Sequence, residues 1–173
     1  NSGDNVRNVT VENDEAEKMF EYFSTYHYAS RQHVVTALMW HSMMRVGAIH
    51  AADVDDYNSE EQYLQVLHRP ETDTPIKNGV DGERHVALSE PICDLLDSWI
   101  ADKRPDVTDD NGRKPLVSTA EGRAHIGTLR GDCYRSTRPC AYTGECPHDR
   151  DLDDCAATEY GSESKCPSSV SPH

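Results

Sequence analysis

Residues 41–56 read HSMMRVGAIHAADVDD. An apolar, helix-like stretch ends on an arginine, Arg45, and passes through Gly47 into an acidic turn. Burial alone gives no reason for a guanidinium there, and two readings are open. Arg45 can hydrogen-bond the last carbonyls of its own helix, where a cation also suits the negative end of the helix dipole. Alternatively, its packed stem can hold the planar guanidinium rigidly toward an anionic ligand. The flanking sequence has to decide between them.

Upstream, residues 1–12 are polar and aperiodic and read as a frayed end or the remnant of a linker. A helix is predicted from Asn13, with Asn13 as cap, Glu15 and Glu17 in its first turn, and Ala16, Phe20 and Phe23 on one face. Ser30 caps a second helix, SRQHVVTALMWHSMM, whose buried stripe runs through Val34, Val35, Leu38, Met39 and Ser42. Downstream the period changes to two. EQYLQVLHR suits a strand, and TPIKNGVDGERHVAL reads as a hairpin turning on Asn78-Gly79-Val80-Asp81-Gly82, with Lys77 beside the turn. Ser89 and Pro91 open a helix with Ile92, Leu95, Leu96, Trp99 and Ile100 on one face. PLVST suits one short strand, and residues 121–137 form a weaker helix through Ala124, Leu129 and Cys133. The predicted class is α+β, mainly helical, with a small antiparallel sheet.

The chain carries 31 acidic and 17 basic residues, a net charge of −14, with arginine favoured over lysine and aspartate over glutamate. Such a surface stays hydrated in concentrated salt, where a screening length of about 3 Å removes its self-repulsion. An ordinary acidic protein is the alternative. The balance argues against indiscriminate nucleic-acid binding but leaves room for a local basic site. No apolar run approaches a membrane span, and a cytoplasmic protein without a membrane partner is expected. Both ends, Asn1 and Pro172-His173, look cut, so the chain reads as a fragment.

Taken in order, three basic residues carry more than each does singly. SMMRVGAIHAADVDD resembles the first arginine box of the tyrosine recombinases, the phage-integrase and Xer-type family, with Ser42, Met44, Arg45 and Asp55 on its pattern. TPIKNGVDGERHVALSEPICDLLDSWI looks like the segment that follows, with Lys77 at the position of the active-site lysine. SSVSPH looks like the approach to the His-x-x-Arg box, with His173 as its histidine. The resemblance covers residues 10 to 173 and is nearest to integrase-like members from halophilic archaea. It has departures: Met43 stands where glycine is common, and Ala48 where many members have an acidic residue.

The resemblance implies the fold of a DNA breaking-rejoining catalytic core with a three-stranded antiparallel sheet. Residues 13–138 would be its first two-thirds, and 139–173 a cysteine-rich insert leading into the histidine box. It implies strand cleavage and rejoining on double-stranded DNA through a phosphotyrosyl link, with no catalytic cofactor, by protomers assembled as tetramers. Arg45 would clamp the scissile phosphate, Lys77 would protonate the leaving oxygen, and His173 would assist proton transfer. The second arginine and the nucleophilic tyrosine of the family would lie past His173, so this stretch alone is expected to be inactive. A non-catalytic DNA-binding or regulatory module derived from an integrase is the alternative.

The last stretch has too little apolar content to build a core. Its Cys140, Cys146, Cys155 and Cys166, with His148 close by, suit a structural zinc whose binding would supply the missing folding free energy. None of the gaps is a two-residue knuckle, so free thiols and disulfides stay open as alternatives. Cys93 and Cys133 read as core residues.

Overall fold

The computed structural model describes residues 11–158 and 166–172. Helix α1 (Asn13–Tyr26) buries Ala16, Met19 and Phe23 and has Asp14 and Glu15 in its first turn, where carboxylates favour the positive helix end. Its cap position is Glu12, which makes no side-chain capping bond; Asn13 lies inside the helix. Ser30 does cap α2 (Arg31–His41), accepting from the backbone N–H of His33 at 3.2 Å. Residues 33–38 of α2 are all buried. This is the central helix, packed by α1, α4 and α5, which explains why no single-sided stripe describes it.

Helix α2 stops at His41 and does not run on to Met44. Met43 takes φ +56° and is 81% exposed, which turns the chain before α3 (Val46–Ala51). Strands β1 (Tyr57–Asn58), β2 (Tyr63–Val66) and β3 (Arg84–Ala87) form a three-stranded antiparallel sheet in that order, with Leu64 opposite Tyr57 on one side and Val86 on the other. The strand expected in EQYLQVLHR forms, and the run before Leu88 pairs with it rather than with TPIK across the expected hairpin. TPIK, by contrast, adds no strand: Thr74 makes only an isolated bridge to Arg69. Asp73 and Asn78 both take left-handed conformations in that loop, which breaks any extended run between them.

Helix α4 (Glu90–Ser98) buries Ile92, Cys93, Leu95 and Leu96 and passes into a wider turn, Trp99–Lys103. The indole of Trp99 donates to the Leu116 carbonyl at 2.9 Å, fixing the following loop to the core. A second small hairpin pairs β4 (Ser118–Thr119) with β5 (Gly122–Arg123). The predicted helix over 121–137 consequently starts later, as α5 (Ile126–Thr137), because Gly122 at φ +133° serves the hairpin. Short α6 (Pro139–Thr143) follows. Among the described residues no helix is long and apolar enough to cross a membrane.

A charged cluster joins these parts. Asp53 accepts from the guanidinium of Arg113 (2.8 and 3.1 Å), of Arg123 (2.6 Å) and, more weakly, of Arg69 (3.4 Å). Arg69 also meets Asp56 at 2.6 and 3.0 Å, and Arg123 meets Asp109 at 2.9 Å. Three arginines thus balance three aspartates, and their side chains are at most 22% exposed. Removing one partner of a buried pair strands the others and costs about 3–5 kcal/mol, a large part of a domain's stability. Urea unfolding should show Asp53→Ala destabilised by that amount, whereas Asp55→Ala, at an exposed neighbour, should change stability by less than about 0.5 kcal/mol.

His33 lies in the core, stacked on Phe23 at 5.5 Å and accepting from the Ala29 N–H through Nδ1. Burial, helped by the charge of His41, pushes its pKa down to about 4. The unfolded chain therefore takes up a proton below the ordinary histidine value while the folded chain does not. Stability should fall as pH drops through the window from 6.5 to about 4. His33→Gln should flatten that part of a stability-versus-pH curve measured by urea unfolding.

Candidate active site

Arg45 is the N-cap residue of α3, not the last residue of α2. It cannot cap the carbonyls of the helix that precedes it, and its side chain is exposed rather than held by a packed stem. It makes no hydrogen bond or ion pair with the described residues. Among the described residues it shares the lack of an ion pair with Arg84, Arg130, Arg138 and Arg150, whereas Arg31, Arg69, Arg104, Arg113, Arg123 and Arg135 are each paired with an aspartate. The backbone on either side of it is firm. Met44 and Val46 are buried, and the Arg45 carbonyl accepts from the N–H groups of Ala48 and Ile49. Ala48 is buried against the core, so no carboxylate competes for the guanidinium from that position.

Lys77 sits exposed in the loop between β2 and β3, and it too makes no ion pair with the described residues. Its backbone is fixed more closely than its side chain. A Cβ on Gly82 would stand 2.4 Å from the Lys77 carbonyl oxygen, so glycine is required for this close approach. At the loop's base His68 Nδ1 accepts from the Ile76 N–H at 3.1 Å. Arg45 and Lys77 do not touch, but one side chain holds the frames of both. Arg113 donates to the Ala51 carbonyl at the end of α3, to Asp53, and to the hydroxyls of Thr72 and Thr74 in the Lys77 loop.

His173 lies outside the described residues. The segment just before it is docked on α5: Ser169 Oγ donates to the Tyr134 carbonyl, and the Val170 N–H donates to Thr137 Oγ1 at 2.8 Å. Ser171 Oγ stands 3.1 Å from the Tyr134 hydroxyl. Helix α5 packs in turn on α3, which follows Arg45.

Several features of the site were not read from the sequence. The acidic turn works through Asp53 and Asp56, each accepting from the other's backbone, while Asp55 of the recombinase-like pattern is exposed. Behind this turn lies a cleft of about 330 Å³ lined by His50, Thr74, Asp109, Arg123 and His125; neither Arg45 nor Lys77 reaches it. Burial pushes His50 below the ordinary histidine range, and its Nδ1 lies 2.7 Å from the Ala124 carbonyl. Burial opposes ionisation of Asp109, but hydrogen bonds from the Arg113 N–H, the Arg123 guanidinium and the Asn111 N–H outweigh it, leaving its pKa low. The Tyr57 hydroxyl is hydrogen-bonded to Asp97 and to the Cys93 carbonyl, and burial raises its pKa. Burial likewise pushes Cys133 up to about 11, in keeping with a core thiol. Among the described residues no three His, Cys, Asp or Glu side chains form a metal-holding group.

Solved structures share this architecture. The chain matches a XerA recombinase with a TM-score of 0.61 at 17% sequence identity, over 82% of this chain and 45% of that one. It matches the integrase of transposon Tn1549, solved in complex with a circular intermediate DNA, with a TM-score of 0.63 at 12% identity, over 87% and 51%. The chain spans about half the length of these structures. No family model and no curated protein matches its sequence. At such identities the likeness establishes the fold: a mainly helical α+β core with a three-stranded antiparallel sheet, shared with a recombinase and an integrase.

The left-handed turn at Met43 should be visible in stability. Glycine removes the Cβ strain and valine worsens it, so Met43→Gly should be neutral or stabilising by up to about 1 kcal/mol, and Met43→Val destabilising by about 1–2 kcal/mol. Thermal unfolding of the two variants tests the order.

Proposed function

We propose that this chain belongs to a tyrosine recombinase or integrase and that Arg45 receives a scissile phosphate of double-stranded DNA. The observation that carries the reading is an arginine left without a carboxylate in a strongly acidic chain, presented by a firm turn on a fold shared with a recombinase and an integrase. The DNA present in the Tn1549 integrase structure supports the choice of ligand.

The chemistry suits these residue types. When a tyrosine hydroxyl attacks a phosphodiester, negative charge grows on the non-bridging oxygens. A planar guanidinium can donate two parallel hydrogen bonds to them. Losing one such donor from a water-poor site costs on the order of 3 kcal/mol of transition-state stabilisation. The phosphorus–oxygen bond to the tyrosine forms as the bond to the 5′-oxygen breaks. Lys77, on its own loop, is placed by the reading to give that oxygen its proton, and His173 to assist the tyrosine proton's departure. The covalent phosphotyrosyl link keeps the ester's free energy, so the strands can be rejoined without a nucleotide cofactor. In this scheme the tyrosine and the second arginine come from outside this stretch, and the protomers act as assemblies on paired sites.

In the full-length protein, a nicked duplex that traps covalent protein–DNA adducts tests the assignment. Arg45→Ala should lower adduct formation by roughly 10²–10³-fold, and Lys77→Ala should slow it while sparing a substrate whose leaving group needs no proton. Unchanged trapping in Arg45→Ala would contradict the reading. DNA binding with no adduct in any form would favour a non-catalytic integrase-derived module.

A further inference from the structure

Lys77 occupies the second position of a tight turn. The Gly79 N–H donates to the Ile76 carbonyl at 3.1 Å, and Asn78 takes φ 70° and ψ 10° at the third position. A type II turn requires that left-handed conformation there. The direction in which the exposed Lys77 side chain leaves the loop is therefore set by the residue that opens the turn, Ile76.

Ile76 is anchored in two ways. Its side chain is 8% exposed and belongs to the main core, and its N–H donates to His68 Nδ1 at 3.1 Å. A backbone N–H only donates, so Nδ1 is the bare acceptor and a neutral ring carries its proton on Nε2. The other side of the ring faces the far end of the turn: a Cβ on Gly79 would stand 3.8 Å from Nε2, an ordinary contact distance. The imidazole thus meets both residues that bracket Lys77 and Asn78. The backbone of His68 reaches the end of the loop as well, its N–H donating to Glu83 Oε2 at 3.4 Å. Arg69, the next residue, serves the Asp53 cluster, whereas the His68 ring serves the loop.

We propose that His68 is the positioning residue of Lys77, which rests on the reading that Lys77 gives the departing 5′-oxygen its proton. His68 touches no DNA in this scheme and transfers no proton; it holds the turn from which the lysine projects. Arg113 holds the first half of the loop through Thr72 and Thr74, and His68 holds the second. Without the Nδ1 acceptor the Ile76 N–H loses its partner and the turn opens toward water. Lys77 then spends less time in the orientation that serves the reaction, while the frame of Arg45 keeps its own contacts.

Two substitutions separate the acceptor from the ring. His68→Asn keeps an acceptor bonded to Cγ, as Nδ1 is, and His68→Phe keeps a ring without one. Amide hydrogen exchange should show Ile76 exchanging at least about tenfold faster in His68→Phe. His68→Asn should stay close to the unmodified chain, and the amide of buried Leu96 should be unchanged in both. Equal Ile76 exchange in His68→Phe and the unmodified chain would overturn the proposal. In the full-length protein, adduct formation at an ordinary 5′-oxygen should fall about ten- to a hundredfold in His68→Phe and recover in His68→Asn. On a substrate whose leaving group needs no proton, His68→Phe should match the unmodified protein, and in a Lys77→Ala background it should add no further loss. An equal loss on both substrates, or an additive loss with Lys77→Ala, would also overturn the proposal, because His68 would then serve the fold at large. Faster Ile76 exchange with no adduct from any form, the unmodified protein included, would support the hold on the turn and count against the recombinase reading itself.

Discussion

The carboxylate of Asp53 is the point on which the rest of this structure depends. It lies just after α3, is one-tenth exposed, and takes hydrogen bonds from three guanidinium groups. Those arginines come from the turn after β2, from the loop after α4 and from β5, so one charged group fixes the mutual position of three separate parts of the chain. The arrangement is neutral overall, which is what makes it tolerable away from water. Arg113 and Arg123 also satisfy the carbonyls of His50, Ala51 and Ala52. The His50 and Ala51 carbonyls are helix-end groups that need partners from outside the helix, while the Ala52 carbonyl also accepts from the Leu116 N–H.

This constraint accounts for the contrast between a firm frame and free side chains. Arg45 begins α3, whose far end Arg113 holds; Lys77 belongs to the loop whose Thr72 and Thr74 the same arginine holds. The backbone around each is positioned, while each cation itself meets solvent. A charge kept clear of internal carboxylates keeps its full hydrogen-bonding capacity for an external anion. The buried arginines do the opposite: they are spent internally and contribute nothing to a ligand.

Much of the fold was legible in the sequence. Ser30 read as a cap because a hydroxyl before an apolar run has a clear mechanical role, and the α4 stripe and the β2 alternation are strong local periodicities. The limits of local reading show at Met43, Thr74 and Asp53. Nothing in a methionine announces a left-handed backbone, so α2 seemed to continue to Met44 and Arg45 seemed to end it. TPIK looked extended until Asp73 and Asn78 took left-handed conformations. The Asp53 cluster pairs residues 60 and 70 positions apart, and its members are charged types that look like surface when read singly. Arg45 was singled out only because Arg45, Lys77 and His173 in that order resemble the recombinase boxes, and the packed stem expected for it does not hold in the structure.

The claim that Arg45 is reserved for a backbone phosphate can be measured without any cleavage chemistry. Equilibrium binding of duplex DNA should be followed against salt concentration for the unmodified chain, for Arg45→Ala, and for Arg130→Ala at another exposed arginine. Each phosphate contact contributes about 0.9 to the slope of log affinity against log salt. The account predicts weaker binding and a slope reduced by about one for Arg45→Ala, with Arg130→Ala unchanged. Identical curves for all three proteins would contradict it.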